Sequence, residues 1–342
     1  MKLFIIGAGA IAGYAASRFS RISEEITMLA RGTRLSYLEA EGVKAEDAYT
    51  GAVTTVPVRL VTSDDAARAM DCDMVLVAVP ADEIEKVLVL LRTLPREIPI
   101  VFIGSFLKAP EETASILGIN RTLFAFPGSA AVLEDDGIVT YVDRGGPEEE
   151  NWGLTIGFLQ SPKTDEAESG TGVQPGEEPS ERTGEILRGQ VEKYFEQAGL
   201  PVFRNDDMKS VFFSQMAVRL PIIAALRMAG GSLSQLYDRG DLLKLMILGI
   251  REALSVQSAG GYALIPGSLK LYRWVPVFVS ANMMKHRFKT LSSRIGIEEF
   301  AAASLRETKY LCRELLSIAE EKEIPAGHLV YLFSDFLDTD PA

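Results

Sequence analysis

A doubly wound α/β domain followed by an all-helical domain is the architecture this 342-residue sequence predicts. Three observations carry that reading. Short apolar runs alternate with amphipathic helical segments through the first hundred residues, the pattern of parallel strands joined by crossover helices. A glycine-spaced turn stands directly between the first apolar run and the first helical segment. Beyond Asp207 strand signals almost vanish and long helical patterns follow, which puts the join near residue 205 and predicts domains over 1–205 and 206–342.

The elements follow in order. Residues 2–6 (Lys-Leu-Phe-Ile-Ile) read as a buried strand. The glycines that come at once after them argue against a secretory leader, whose apolar core is longer. Gly9 to Ile22 reads as a helix, Glu25 to Leu29 as a second strand, and Arg34 to Glu41 as a second helix. Thr54 to Val61 alternates Val with polar residues and reads as β. Asp64 to Met70 reads as a helix with Ser63 as its cap. Met74 to Val79 and Ile98 to Ile103 are continuous apolar runs, as expected of strands covered on both faces, with a helical stretch, Asp82 to Leu91, between them. Short strands are expected at Thr122 to Phe126, Ile138 to Val142 and Leu154 to Phe158. Residues 161–183 lose their apolar content, carry six acids and are broken by Pro and Gly, so they read as an acidic, solvated insertion. A helix over 184–198 and a strand over 201–204 close the first domain. The second reads as helices over 208–229, 241–259, 268–290 and 297–322, separated by Gly230-Gly231 and Gly260-Gly261. Pro221 falls inside the first of these and predicts a kink.

Composition removes several classes. At 47% hydrophobic and 24% charged, both halves can bury a core. The most apolar run, Leu220 to Gly231, is interrupted by Arg227, so no membrane span is expected. A formal charge of −12 disfavours nucleic acid, which needs a cationic face. Cys72 and Cys312 lie far apart, and His286 and His328 are the two histidines. That spacing predicts neither a disulfide framework nor a metal site, but core thiols in a reducing, cytoplasmic compartment.

Gly7-Ala8-Gly9-Ala10-Ile11-Ala12 fits G-x-G-x-x-G/A. The first Gly permits the tight turn, the second lets backbone approach a pyrophosphate, and the small Ala12 lets helix lie close to strand. The helix N-terminus then offers free N–H groups and a positive dipole end to phosphates. A Rossmann-type dinucleotide site follows. Its second determinant is the end of the second strand, where a binder of NAD places an acid for the ribose. Here the run is Leu29-Ala30-Arg31-Gly32-Thr33-Arg34, with two guanidiniums and no acid. Arg forks suit a 2′-phosphate, so NADP is the expected cofactor, with Arg31 the stronger candidate and Arg34 the weaker. Val79, Pro80 and Ser105, at the strand ends beside the turn, complete the candidate contacts.

These segments resemble the ketopantoate reductase family. The likeness rests on Leu3 to Ala12, on Ile26-Thr-Met-Leu-Ala-Arg-Gly-Thr-Arg-Leu35, on Asp73 to Val79, and on the order of the two domains. It implies NADP(H), a helical domain like that of 6-phosphogluconate dehydrogenases, and reduction of a 2-oxo acid in the cleft between domains. The cofactor residues Gly7, Gly9, Ala12 and Arg31 match. The chemical ones depart: Pro80 stands where the family has Lys, and Ile103-Gly104-Ser105 stands where it has Gln-Asn-Gly. In the family's Trp-x-Lys-x-x-x-Asn pattern, Phe213 falls at the Trp, Gln215 at the Lys and Arg219 at the Asn. The late substrate-binding Glu falls near Leu305, with Glu307 close by.

Hydride transfer to a carbonyl builds negative charge on oxygen, which a cation stabilises while an acid supplies the proton. Gln215 can donate a hydrogen bond but no proton, and Arg219, one turn on, shares its face. The sequence therefore predicts an NADP-dependent oxidoreductase for a small carbonyl or hydroxy-acid substrate other than ketopantoate, with Gln215 and Arg219 at the chemistry. The rival reading is a dinucleotide-binding sensor or assembly protein without turnover; a flavin or other nucleotide is a third. The apolar helix faces at 242–254 and 311–318 also suit a homodimer.

Overall fold

The computed structural model describes residues 1–63, 65–66, 71–107, 110–143, 153–159 and 181–337. Most of the expected helix over 64–70 and most of the acidic insertion lie outside the described residues. The chain runs β1 (Lys2–Ile6), α1 (Ala10–Phe19), β2 (Glu25–Leu29), α2 (Gly32–Glu41), β3 (Val43–Asp47), β4 (Val53–Val56), β5 (Arg59–Val61) and β6 (Met74–Val77). A 3₁₀ turn, Ala81–Glu83, leads into α3 (Ile84–Leu91). Then come β7 (Ile100–Ile103), α4 (Pro110–Leu117), β8 (Thr122–Pro127), β9 (Ala130–Leu133), β10 (Val139–Val142), β11 (Leu154–Gly157), α5 (Glu181–Gln197) and β12 (Val202–Arg204). The rest is helical: α6 (Met208–Met228), α7 (Leu233–Asp238), α8 (Gly240–Ala259), a 3₁₀ helix (Gly267–Arg273), α9 (Val277–Arg287) and α10 (Leu291–Ser293). A π-helical stretch (Arg294–Glu299), α11 (Phe300–Ala303), α12 (Leu305–Glu321) and α13 (Gly327–Leu337) complete it.

The expected α/β plus helical architecture is present. An eight-stranded sheet runs β12-β11-β8-β7-β6-β1-β2-β5. Neighbours are parallel except β11 against β8. Alternate residues of β1 feed opposite faces. Leu3 and Ile5 pack with Ala12, Ala15, Ala16 and Phe19 of α1. Phe4 and Ile6 pack with Val75, Val77, Phe102 and Phe124 on the other side. A second sheet, β4-β3-β10-β9, lies over α1. It was not expected from the sequence. β3 reads Val-Lys-Ala-Glu-Asp and buries only Val43 and Ala45, a period-2 signal too short and too charged to stand out. Gly13 admits this sheet: a Cβ there would lie 2.7 Å from Val139 Cγ2.

In the second half two expected helices are divided. The pattern over 268–290 breaks at Pro276, whose missing N–H and fixed φ start α9 afresh. The pattern over 297–322 breaks at Ser304 (φ −116°, ψ 34°), with the π-helical stretch before it. Helices α4, α7 and α13 were not expected. α6 continues through Pro221, which faces Gly249 of α8, where a Cβ would lie 3.4 Å from Pro221 Cβ. Among the described residues α6 is the helix long and apolar enough to cross a membrane, but it is largely buried, against α8 and α13. It also joins the domains. Met208, Val211 and Phe212 belong to the core on the sheet, while Phe213, Met216 and Leu220 belong to the helical core. The Phe212 ring lies 5.1 Å from that of Phe106, in the loop after β7.

Candidate dinucleotide turn and interdomain cleft

The glycine turn is built by close packing of β1 on β6. Gly7 adopts φ +118°, and a Cβ on it would lie 2.3 Å from the Ala78 carbonyl oxygen and 3.4 Å from Val79 Cγ1. Only glycine fits there. Gly9 is different. It caps α1 in extended conformation, its side-chain position faces open space, and no side chain caps the first turn of the helix. The N–H groups at the start of α1 are therefore open to an anion, as a dinucleotide pyrophosphate requires. Ala12 is fully buried against the sheet, while Ala8, Ala10 and Ile11 are partly exposed.

The two guanidiniums at the end of β2 have different fates. Arg34 donates from Nε to the Ala8 carbonyl at 2.9 Å and from Nη1 to the Gly137 carbonyl at 2.7 Å, with its plane 4.8 Å from the Tyr37 ring centre. It ties the glycine turn to the second sheet. Arg31 caps α2 with its side chain 76% exposed, and its Nη2 lies 3.1 Å from Glu83 Oε2. Arg31 is thus the accessible fork beside the turn. Pro80 is exposed after β6, and Ser105 is buried in the loop after β7 with no hydrogen-bond partner among the described residues.

Between the domains the start of α12 meets the loop after β6, α6 meets the loop after β7, and the π-helical stretch packs on α6 and β9. Gln215 is partly exposed on α6 and unpartnered among the described residues. Arg219, on the same face, donates from Nη2 to the Gly296 carbonyl at 2.8 Å and stacks 3.7 Å from the Phe300 ring centre. Burial pulls its pKa down to about 10, so it stays charged at neutral pH. Glu307 Oε1 accepts from the Ala81 N–H at 3.2 Å, which pins α12 to the loop after β6. Burial raises the Glu307 carboxyl above its ordinary value of 4.5, against the pull of the Ala81 N–H and Arg219. The family resemblance placed the late substrate-binding Glu near Leu305, two residues from Glu307. Glu83 and Arg306 carried no sequence signal: each sits in an ordinary run of charged residues, and their pairing is visible only once the domains are in place. Of the two free cysteines, Cys312 is buried in the helical core and Cys72 is partly exposed beside β6.

Fold and site together define a two-domain, Rossmann-type protein with an uncapped glycine turn and a charged cleft. Residues 3–148 match the family described as ketopantoate reductase PanE/ApbA. A curated 2-dehydropantoate 2-reductase of Listeria monocytogenes is 27% identical over 146 residues, 42% of this chain and 48% of that protein. The match thus spans about half the length of that relative. Among solved structures, a putative ketopantoate reductase from Ralstonia solanacearum superposes with a TM-score of 0.71 at 18% identity, covering 98% of this chain and 96% of that one. A 2-dehydropantoate 2-reductase from Geobacter metallireducens gives 0.72 at 17% identity, covering 99% of each chain. D-mandelate dehydrogenase, solved with NADH and anilino(oxo)acetate, gives 0.72 at 12% identity, covering 98% and 97%. The chain is similar to the ketopantoate reductases in sequence over residues 3–148 and shares their two-domain fold throughout.

Proposed function

We propose that this protein is an NADP-dependent oxidoreductase that reduces a 2-oxo acid, or a related carbonyl, other than ketopantoate. The observation that carries the reading is the uncapped turn at Gly9 with the exposed Arg31 fork beside it, while Arg219 and Glu307 stand on α6 and α12 where the helical half meets the loop after β6. A bound nicotinamide would supply the hydride. The chain's own part is the rest. Gly7 and Gly9 shape the turn, and the α1 N–H groups and Arg31 hold phosphate. Arg219, fixed by Gly296 and Phe300, holds a carboxylate or the developing oxyanion. Gln215 orients the carbonyl as a neutral donor. Glu307, whose carboxyl burial pushes toward the protonated form, gives its proton from Oε2 while Oε1 stays on the Ala81 N–H. This donor takes the place of the Lys that Gln215 replaces. A homodimer through the helical domain belongs to the same reading, but the apolar faces at 242–254 and 311–318 are buried in the helical core, so the surface on offer is Leu271, Trp274 and Phe278, with Trp274 84% exposed.

The test is titration with NADPH and, separately, NADH, with Arg31→Ala as control, followed by NADPH oxidation against a panel of 2-oxo acids and aldehydes. Tight NADPH binding that Arg31→Ala weakens selectively, with turnover of a member of the panel, is the expected result. Binding without any oxidation would favour the sensor reading, and no binding to either nucleotide would remove the function altogether.

A further inference from the structure

Glu83 occupies an unusual position. Its side chain is 6% exposed, yet it meets three cations from three elements. Arg31, from the junction of β2 and α2, reaches Oε2 at 3.1 Å. Lys86 of α3 reaches Oε1 at 2.9 Å, and Arg306, in the first turn of α12, reaches Oε1 at 2.6 Å. Arg306 also holds Asp82 at 2.6 Å, so the 3₁₀ turn carrying Glu83 is anchored to the helical domain without Arg31. Burial alone would raise the Glu83 carboxyl, but the hydrogen bonds from Lys86 and Arg31 and the surrounding positive charge bring it below the ordinary range.

We propose that Glu83 is a specificity-determining residue for the dinucleotide, acting as an internal competitor for Arg31. The proposal rests on the reading that Arg31 is the 2′-phosphate fork. A phosphate that takes Arg31 must draw the guanidinium from a carboxylate already in place, and must then lie near that carboxylate's charge. Both effects weaken NADPH and leave NADH, which lacks the phosphate, almost untouched. The exchange is feasible because Glu83 keeps Lys86 and Arg306 when Arg31 leaves, so no buried charge is stranded. Selectivity for NADPH is accordingly weaker than the bare pair of arginines in the sequence implies, and Glu83 tunes it.

The experiment measures Kd for NADPH and NADH on the full-length wild type, E83Q, E83D, R31A and E83Q/R31A, with a thermal melt of each to confirm folding. E83Q is expected to tighten NADPH by about tenfold, the scale of a removed like charge at a binding site, and to leave NADH within about twofold. The gain should vanish in the R31A background. E83D, which withdraws the carboxylate from Arg31 but keeps its charge, should give a smaller gain, and it carries the test if E83Q does not fold. An unchanged NADPH/NADH ratio in E83Q or E83D, with R31A still weakening NADPH, overturns the role of Glu83 and leaves the proposed function standing. R31A without effect on NADPH overturns both.

Discussion

Two glycines two residues apart should fail in opposite ways when changed to Ala. At Gly7 the added Cβ would meet the Ala78 carbonyl oxygen at 2.3 Å and its carbon at 3.0 Å, both backbone. Ordinary contact would need a retreat of about 1 Å, and neither β1 nor β6 is free to give it. They pair through Ile6↔Val77, and the Ala78 N–H donates to the Ile6 carbonyl at 2.9 Å. The side chain would also sit at φ +118°. Strain of about 1–3 kcal/mol, overpacking of about 1–3 kcal/mol and a weakened ladder bond of about 1 kcal/mol sum to about 3–7 kcal/mol. A two-domain chain of this size should then melt on the order of 10 °C lower. At Gly9 the backbone is extended (φ −81°, ψ −165°), and a Cβ would meet nothing within 4 Å. Gly9→Ala should cost about 1 kcal/mol or less through the poorer cap. Its methyl would, however, fill the space a pyrophosphate needs, so nucleotide binding should fall at least about a hundredfold, a few kcal/mol of lost contact with N–H donors. The assays are thermal unfolding and NADPH fluorescence titration on both variants. A Gly7→Ala protein that melts with the wild type would refute the packing argument. A Gly9→Ala protein that binds NADPH normally would refute the placement of the pyrophosphate.

Four further outcomes are expected. Arg219→Gln should lower kcat/KM by about 10²–10³-fold with little change in NADPH affinity, the scale of one lost donor to a developing oxyanion; steady-state kinetics separate the two effects. Glu307 titrates above 4.5 in the folded protein. Turnover that uses its proton should therefore fall as pH rises through that raised value, and Glu307→Gln should cut turnover steeply and leave the residual rate without this alkaline limb in a pH–rate profile. For stability the sign is the same. A raised carboxyl favours the fold below its ordinary value, and that contribution is lost as pH rises through the folded one, so Glu307→Gln should melt higher than the wild type at pH 8. Arg121 is fully buried, donating to the Leu117 and Pro95 carbonyls at 2.6 and 2.5 Å; Arg121→Met should cost about 2–4 kcal/mol in denaturant unfolding through those stranded acceptors. If the helical domain forms the proposed homodimer, Trp274→Glu should shift sedimentation toward the monomer while NADPH affinity holds.

The order of the elements in the first domain was legible because parallel strands buried on both faces leave continuous apolar runs. β2 spans Glu25–Leu29 in pattern and structure alike. The second sheet was not legible, since its strands bury one face against α1 and carry Lys44 and Glu46 on the other. The site divided along the same line. The proposed roles of Gly7, Gly9 and Arg31 rest on local backbone and a single side chain, so the spacing alone raises them as candidates. Glu83 meets Arg306 across 223 positions and Glu307 meets Ala81 across 226, and no local pattern records such pairings; Glu307 was approached only through the family resemblance.

That division bears on how the cleft works. Arg31, Glu83 and Arg306 form a line from the cofactor end of β2 to the first turn of α12, and Glu307 is the residue next to Arg306. If a ligand drew Arg31 away, Glu83 would keep Arg306, which also holds Asp82 of the same 3₁₀ turn. The same turn presents the Ala81 N–H to Glu307. Nucleotide binding and the setting of the proposed proton donor thus share one short segment, Ala81–Glu83. If the segment couples the two, the apparent pKa of the alkaline limb should differ between NADPH and NADH as co-substrate in the wild type and converge in E83Q. Identical limbs in the wild type would show that the cofactor and the acid are set independently.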